Sequence, residues 1–339
     1  MEVDGAARAL AQFVQDKTHA DCVQVVDFHR LSGGAIQSND ALILDCVGGT
    51  HPGRLDLVVR SDAPSQIDAS LSREQEFQVL NVAVSAGVKA PQALWYCGDP
   101  TVIGQPFCVM TRLAGSASGR DLVRGGLSPT QAERLTRDLG VQMARLHQVC
   151  PPDERLDFLT LPAPSAALHR VQQYREALAD IAEPHPVLEW ALNWLSDHAA
   201  PGDDVVLCHG DFRTGNYLVH DGALTGILDW EFCAWSDPYE DLGWLCAKSW
   251  RFGGAKPVGG IGDKAVLFDA YARESGKLVD ARRVLYWEAM AMTRWATIAL
   301  KQAERHLSGR ESSLELALTG RLLPQIEFDL LTHIRELQA

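Results

Sequence analysis

The spacing of apolar residues changes partway along the chain. Before residue 110, short apolar runs rich in β-branched residues are separated by turn residues, which is typical of β-strands. Beyond residue 128, apolar residues recur every three or four positions, which indicates helices that bury one face. The predicted strands cover residues 23–31, 41–47, 55–60, 91–96 and 107–110, with helices at 6–17 and 71–86. Further helices are predicted at 129–147, 165–182, 186–199, 280–307 and 314–337, the last interrupted at Pro324.

Residues 207–231, LCHGDFRTGNYLVHDGALTGILDWE, interrupt the helical pattern. They read as a strand, a polar loop, a second strand, a tight turn and a third strand. The pair Asp221-Gly222 predicts a two-residue hairpin, because a type I′ turn needs positive φ at both central positions. In that register His220 pairs with Ala223, and Tyr217 pairs with Gly226.

This register places Asn216 and Asp229 at the same end of the hairpin, with Asp211 in the loop that leads into it. Two carboxylates and one amide oxygen therefore converge, and hard oxygen ligands suit Mg²⁺, which proteins hold together with substrate phosphates. The spacing H-x-D-x-x-x-x-N, followed 13 residues later by Asp, is the catalytic layout of kinases and starts here at His209. A single HGD or LDW tripeptide is ordinary turn chemistry, but four positions in register on one hairpin favour catalysis.

With these residues in place, the chain resembles the aminoglycoside phosphotransferase family, and in particular its broad bacterial phosphotransferase branch. The segments YLV at 217–219, ILDWE at 227–231 and DPYEDL at 237–242 carry the resemblance, which extends from about residue 27 to the final helices. It implies an α+β, bilobal protein-kinase-like fold. A small antiparallel-sheet lobe, residues 1–110, would bind nucleotide, and a large, mainly helical lobe, residues 111–339, would carry catalysis and the acceptor site.

The resemblance also implies roles for individual residues. Asp211 would accept or orient the acceptor's hydroxyl proton, while Asn216 and Asp229 would hold Mg²⁺ as the catalytic and metal-binding residues. Asp241 would brace the catalytic loop. For Glu231, contact with the metal and mere proximity both stay open. The segment DPYE at 237–240 reads as a helix-capping box with Asp237 as the cap, which explains that residue without a function.

ATP binding is predicted at three places in the first lobe. Ser32, Gly33 and Gly34 open a glycine-rich loop whose backbone N–H groups can approach phosphates, although a Gly-Gly hairpin alone is usually structural. Arg60 ends a strand where kinases place a lysine, and its planar fork also suits phosphate; an exposed strand-end arginine is the alternative. Glu76 is predicted to be the helix partner of Arg60, with Glu74 as the competing choice. Met110 and Arg112 lie in the predicted hinge between the lobes, where the adenine would bind.

Composition narrows the classes of function. Of the 339 residues, 46% are hydrophobic and 22% are charged, as in soluble globular proteins. No apolar run approaches the roughly 18 residues that span a bilayer, and the start MEVDGAARAL does not resemble a secretory signal. The eight scattered cysteines form no CxxC pair, so we expect reduced thiols in a cytoplasmic protein.

The net charge of −13 disfavours nucleic acid and anionic membranes as partners. From residue 240 onward the chain has 13 acidic and 14 basic residues, so the acceptor region lacks the carboxylate excess expected for polycationic aminoglycosides. The predicted partner is a small molecule with a hydroxyl group. A hydroxyacyl or acyl-CoA-linked compound, a macrolide, a choline-like alcohol and an aminoglycoside all stay open, as does the oligomeric state.

Two other classes of function compete with an ATP-dependent kinase. A kinase-like protein that binds nucleotide without catalysis is disfavoured, because Asp211, Asn216 and Asp229 are all present. A metallohydrolase using His209 and Asp211 as ligands would need more histidines nearby, and only His220 is close in sequence. The segment 256–265 contains G-x-G-x-x-A, but no predicted strand precedes it, which favours a linker over a dinucleotide site.

Overall fold

The computed structural model describes residues 3–31, 38–62, 70–200 and 204–338. The predicted phosphate-binding residues Ser32, Gly33 and Gly34 lie outside these ranges. The architecture is α+β, with an antiparallel sheet in the first part of the chain and mostly helices after it. The predicted division at residues 110 and 111 stays a prediction.

Five strands form the sheet, in the spatial order β1-β2-β3-β5-β4, and all neighbours are antiparallel. The strands are β1 (Cys22–Arg30), β2 (Ser38–Val47), β3 (Gly53–Ser61), β4 (Ala93–Cys97) and β5 (Phe107–Thr111). Helix α1 (Val3–Thr18) and helix α2 (Arg73–Ser85) accompany them.

Side-chain alternation along β5 shows how the two faces of the sheet are covered. Phe107 and Val109 belong to a core shared with Leu10 and Val14 of α1. The intervening Cys108 and Met110 belong to a second core, which includes α2 and most of the later helices. The sheet therefore carries α1 on one face and joins the large core through the other.

The rest of the chain is mainly helical. Its longer helices begin with α4 (Pro129–Leu146), where Ser128 and Gln131 form the predicted capping box. The described helices of this region are α3 (Gly119–Arg124), α4, α5 (Ala166–Ala179), α6 (Pro186–Asp197), α7 (Tyr239–Cys246), α8 (Lys264–Ser275), α9 (Ala281–Leu307), α10 (Leu314–Gly320) and α11 (Leu323–Gln338). The break before α11 leaves Pro324 in a first helical turn, where its missing N–H costs nothing.

Four short strands interrupt the helices: β6 (Val206–Cys208), β7 (Tyr217–His220), β8 (Ala223–Ile227) and β9 (Ala234–Ser236). The predicted β7–β8 turn is present, with φ of 50° at Asp221 and 75° at Gly222, and His220 pairs with Ala223. The predicted partner of Tyr217 was wrong. An irregularity between Leu218 and Val219 shifts the ladder, so Tyr217 pairs with Ile227.

The predicted DPYE capping box is only partly present. Asp237 accepts a hydrogen bond from the Tyr239 backbone N–H at 2.9 Å, as a cap would. Glu240 does not reciprocate, because its carboxylate binds Ser236 and Arg170 instead. Asp237 is also buried and ion-paired with Arg283 at 2.5 Å. It is therefore more than a helix cap.

All eight cysteines lie in the described residues and are free thiols. Within those residues, no helix combines the length and the apolar character needed to cross a bilayer.

Candidate active site

The loop between β6 and β7 is held in place by the buried Asp241 of α7. Its carboxylate accepts hydrogen bonds from the backbone N–H groups of His209, at 2.7 Å, and Gly210, at 2.9 Å. Gly210 has a φ of 75°, and a Cβ there would lie 2.2 Å from the carbonyl oxygen of Phe232, so only glycine fits. The loop thus starts from a fixed backbone position.

Two histidines complete this support. His147 at the end of α4 lies 3.1 Å from Asp241 and 3.0 Å from the Tyr271 hydroxyl, so it is a core residue. His209 Nδ1 accepts from the backbone N–H of Asp211, which assigns the proton to Nε2 as the donor to the Leu228 carbonyl. Burial lowers the pKa of His209, which favours this neutral form. The His209 imidazole therefore links the loop to the end of β8 through its two hydrogen bonds.

Asp211 supplies the carboxylate of this loop and has several hydrogen-bond partners. The indole N–H of Trp244 donates to its Oδ1 at 2.7 Å, and the side-chain amide of Asn216 donates to its Oδ2 at 2.5 Å. Arg213 Nε lies 3.1 and 3.2 Å from the two oxygens. With its side chain held from three directions and 7% of its surface exposed, Asp211 has a fixed orientation.

The hairpin brings Asn216 and Asp229 to the same end, as the sequence predicted. The Leu228 backbone N–H donates to the Asn216 carbonyl at 2.8 Å, one residue before Asp229. Asp229 has a φ of 69°, which is unusual for a residue with a side chain and is often found at functional positions. Its side chain keeps 30% exposure, unlike the better buried Asp211.

An ion-pair network connects the hairpin to the sheet. Arg60 of β3 lies 2.6 Å from Asp229 through Nη2 and 3.0 Å from Glu76 through Nε. Glu76, rather than Glu74, thus contacts the strand cation. Arg73, at the start of α2, binds the same Glu76 carboxylate and lies 3.8 Å from buried Glu231. Arg60 therefore forms ion pairs with both Glu76 of α2 and Asp229 after β8.

The charges in this network support one another. Burial alone would lower the pKa of Arg60, but the negative charges of Asp229 and Glu231 outweigh it and raise that pKa. Burial alone would raise the pKa of Asp229, but the Arg60 charge and hydrogen bond outweigh it and lower that pKa. Burial and repulsion from Arg60 lower the pKa of Arg73. Arg60 and Asp229 are therefore both charged at neutral pH.

The donor set fits a hard divalent cation. Since the Asn216 amide nitrogen is used by Asp211, its Oδ1 is the atom left to meet a cation. Asp229 supplies a partly exposed carboxylate beside it in the fold. One carboxylate and one amide oxygen, completed by phosphate oxygens, form the kind of site that Mg²⁺ prefers.

The predicted hinge residues lie at the end of β5, away from this network. Met110 is buried and pairs with Val58 of β3. The Arg112 backbone N–H donates to the Asp56 carbonyl at 3.0 Å, and its side chain lies 3.5 Å from the Asp56 carboxylate. A nucleotide contact of either residue stays a prediction.

The segment after β5 is attached to the β7–β8 hairpin. Ser116 and Val219 exchange two backbone hydrogen bonds of 3.0 Å. The Thr225 hydroxyl donates to the Ala114 carbonyl at 2.6 Å. The connection between the sheet and the helices is therefore held against the β7–β8 hairpin.

Four residues of this site were not predicted from the sequence: Trp244, Arg73, Arg213 and Arg294. A usable signal existed for Trp244, since it follows Asp241 by three residues on α7 and so shares its face. Arg213 lies two residues after Asp211 in the same loop. Arg294 of α9 binds the Gly210 carbonyl across 84 residues of sequence, and no local pattern indicates such a contact.

Comparisons with known proteins agree with this architecture. A sequence model of the phosphotransferase enzyme family matches residues 28–283. Mouse (Mus musculus) acyl-CoA dehydrogenase family member 10 is 26% identical over 264 residues, which cover 74% of this chain and 24% of that protein. The chain thus spans about a quarter of the length of this curated relative.

Solved structures with the same fold cover nearly the whole chain. A candidate aminoglycoside phosphotransferase from Ralstonia eutropha JMP134 superposes with a TM-score of 0.78 at 21% identity, covering 97% of this chain and 98% of that one. Spectinomycin phosphotransferase, in complex with ADP and spectinomycin, has a TM-score of 0.63 at 13% identity, covering 96% and 98%. At these identities the likeness establishes the kinase-like fold alone.

Proposed function

The chain belongs to the phosphotransferase enzyme family, and on that premise we propose that it transfers the γ-phosphoryl group of ATP to a hydroxyl group of a small molecule. The observation that carries the proposal is the convergence of Asp211, Asn216 and Asp229 at one end of the β7–β8 hairpin, with Arg60 2.6 Å from Asp229. Phosphoryl transfer depends mainly on positioning and electrostatics, which such a fixed cluster supplies.

Asp211 is assigned to the acceptor. Its carboxylate would receive a hydrogen bond from the acceptor hydroxyl, orient that oxygen toward the phosphorus and take its proton. Trp244 and Asn216 hold the carboxylate in one orientation, at 2.7 and 2.5 Å. Asp241 fixes the backbone that precedes it.

Asn216 and Asp229 are assigned to Mg²⁺, and Arg60 to phosphate. When bound, Mg²⁺ neutralises charge on the phosphate oxygens. Arg60 would add a permanent charge at the same end of the hairpin, and the glycine-rich loop at Ser32, Gly33 and Gly34 would add backbone donors. Glu76 keeps the Arg60 guanidinium oriented.

ATP is the proposed donor, and the ADP in the spectinomycin phosphotransferase complex supports this choice. Met110 and Arg112 would place the adenine at the hinge. The free thiols are consistent with a cytoplasmic location, which we include in the proposal.

The acceptor is a small hydroxylated molecule. Because the curated relative is named for an acyl-CoA activity, a hydroxyacyl or acyl-CoA-linked acceptor is the second candidate. A nucleotide-binding protein without catalysis is the remaining alternative, and the test below distinguishes it.

The test is phosphate transfer from γ-labelled ATP with Mg²⁺ to a panel of hydroxylated metabolites, including hydroxyacyl-CoA compounds, followed by ³¹P NMR of any labelled product. We expect a phosphate monoester with wild type and at least about 10²-fold less with Asp211→Asn. Asp221→Asn is the matched control, since this exposed turn residue has positive φ, which asparagine tolerates. Equal turnover in wild type and Asp211→Asn would contradict the proposal.

A further inference from the structure

Two guanidinium groups, each stacked on a tryptophan, adjoin the loop that carries Asp211. Arg213 contacts the Asp211 carboxylate and lies 4.6 Å from the ring centre of Trp250. Arg294 donates to the Gly210 carbonyl and lies 4.3 Å from the ring centre of Trp244. Such stacking holds an arginine in place while its edge stays able to bind an anion.

The buried acids around this loop are already paired with other cations. Glu240 lies 3.0 Å from Arg170, Asp237 lies 2.5 Å from Arg283, and Glu288 binds Lys264. Arg294 is 4.0 Å from Glu240, beyond hydrogen-bond range. In the described part of the chain, the carboxylate in contact with Arg213 is therefore that of Asp211.

Asp211 is also the group assigned to the acceptor hydroxyl. When this carboxylate accepts a hydrogen bond from that hydroxyl and takes its proton, Arg213 loses part of its charge compensation. Trp250, on which Arg213 stacks, has a buried indole N–H that finds no acceptor among the described residues. The same holds for Nε of the neighbouring Arg251. Among the described residues on this side of the site, two buried donors therefore have no acceptor, whereas one buried acceptor, Glu240 Oε1, has no donor.

From this balance we infer that the acceptor carries an anionic group, a carboxylate or a phosphate ester, near the hydroxyl that is phosphorylated, and that Arg213 and Arg294 bind it. The inference rests on the proposed function and specifies the substrate class of that site. A polycationic acceptor would meet two arginines and add further unpaired donors, whereas an anion provides acceptors for both.

The test is a series that shares a 3-hydroxylated eight-carbon chain and differs in its head group: 3-hydroxyoctanoate and its isostere 3-hydroxyoctanamide, with 3-hydroxyoctyl phosphate and 3-hydroxyoctylamine. Phosphate transfer from Mg-ATP is measured for each, and calorimetry with a non-hydrolysable ATP analogue measures binding independently of turnover. We expect wild type to favour at least one anion over the amide by about tenfold or more, with the amine weakest. The two anionic compounds distinguish a carboxylate from a phosphate ester.

Variants identify the residues that produce this preference. Arg213→Gln and Arg294→Gln should each reduce the preference for the anion over the amide, in both phosphate transfer and binding, to within about threefold. Each substitution removes one charged donor. Arg213→Lys should keep part of the ratio. The control is Arg273→Gln on α8, an arginine whose side chain is 78% exposed and pairs with Asp269, and it should leave the ratio unchanged.

The outcomes are separable from those of the proposed function. If the amide or the amine accepts phosphate, or binds, as well as the anions do, the anionic class is wrong while phosphoryl transfer stands. If Arg213→Gln lowers phosphate transfer to the anion and to the amide in equal proportion, that residue only positions Asp211, and the inference fails. If no head group changes binding, the inference also fails. The proposed function fails only if turnover is independent of Asp211.

Discussion

Arg60 illustrates what a single residue type decides in this site. Its guanidinium spans two carboxylates at once, with Nε 3.0 Å from Glu76 and Nη2 2.6 Å from Asp229. A lysine at this position would be a point charge without the planar fork. An arginine can therefore occupy the position where kinases usually have a lysine, and its planar fork lets it pair with two carboxylates at once.

Arg60→Ala should weaken Mg-ATP binding by roughly 30-fold or more, because truncating one partner of a buried charge pair typically costs about 2–5 kcal/mol. Arg60→Lys should retain much of the affinity, since the positive charge is kept. Calorimetric titration of both variants with Mg-ATP measures the difference. If Arg60→Ala binds as wild type does, the residue serves only to pair Glu76 and Asp229.

Trp244→Phe removes the N–H that Asp211 accepts at 2.7 Å while keeping an aromatic ring beneath Arg294. We expect turnover to fall by about tenfold, from a hydrogen bond to a charged group worth roughly 1.5–3 kcal/mol, and the Kd for Mg-ATP to change little. Steady-state kinetics and calorimetry test the two parts. Trp190→Phe is the matched control, because Trp190 is 43% exposed on α6. An unchanged kcat in Trp244→Phe would show that the indole N–H does not contribute to turnover.

At the scale of elements, α7 supports the loop that carries Asp211. Asp241 in its first turn holds His209 and Gly210, and Trp244 one turn later holds Asp211. One helix therefore fixes both the backbone and the carboxylate of the loop. This arrangement makes the loop geometry depend on how α7 is packed.

Asp241→Asn should destabilise the fold by about 3–5 kcal/mol, because the new amide N–H₂ would face donors and His147 would lose its carboxylate partner. Burial would raise the pKa of Asp241, but hydrogen bonds and charges from His147 and His209 lower it overall. The stabilisation by Asp241 is therefore present above its unfolded-state pKa of about 3.9 and is lost as pH falls through the lower folded-state value.

Thermal unfolding of wild type and Asp241→Asn between pH 3 and pH 7 measures this difference. The gap in stability should be widest near neutral pH and narrow toward acid. A constant gap across the range would show that Asp241 does not act through its charge.

The elements themselves were largely predictable from the sequence. The turn Asp221-Gly222 and the helix cap Ser128 depend on local backbone geometry, and the structure confirms both. The register beyond Val219 was not predictable, since the shift coincides with a contact between Thr225 and Ala114 that is distant in sequence. The second capping box failed for the same reason, because Arg170 binds Glu240.

In the whole molecule, the ion-pair network joins the sheet, α2 and the catalytic hairpin. The pairing of Arg60 with Glu76 was predictable from a family resemblance. The position of Arg73 against Glu76 and Glu231 was not, because a buried arginine at a helix start has no sequence pattern that separates it from an exposed one. The network places Asp229 next to the sheet that is proposed to bind nucleotide.

The central claim is that Asp211 serves the acceptor while Asp229 serves Mg²⁺, and its most direct test is the Kd for Mg-ATP together with turnover in Asp211→Asn and Asp229→Asn. Asp211→Asn should keep Mg-ATP binding within about threefold and lower kcat by roughly 10²–10⁴-fold. Asp229→Asn should weaken nucleotide binding in Mg²⁺ and not in EDTA, and Asp221→Asn should match wild type. Loss of Mg-ATP binding in Asp211→Asn with retention in Asp229→Asn would reverse the two roles, and unchanged turnover in both would contradict the account.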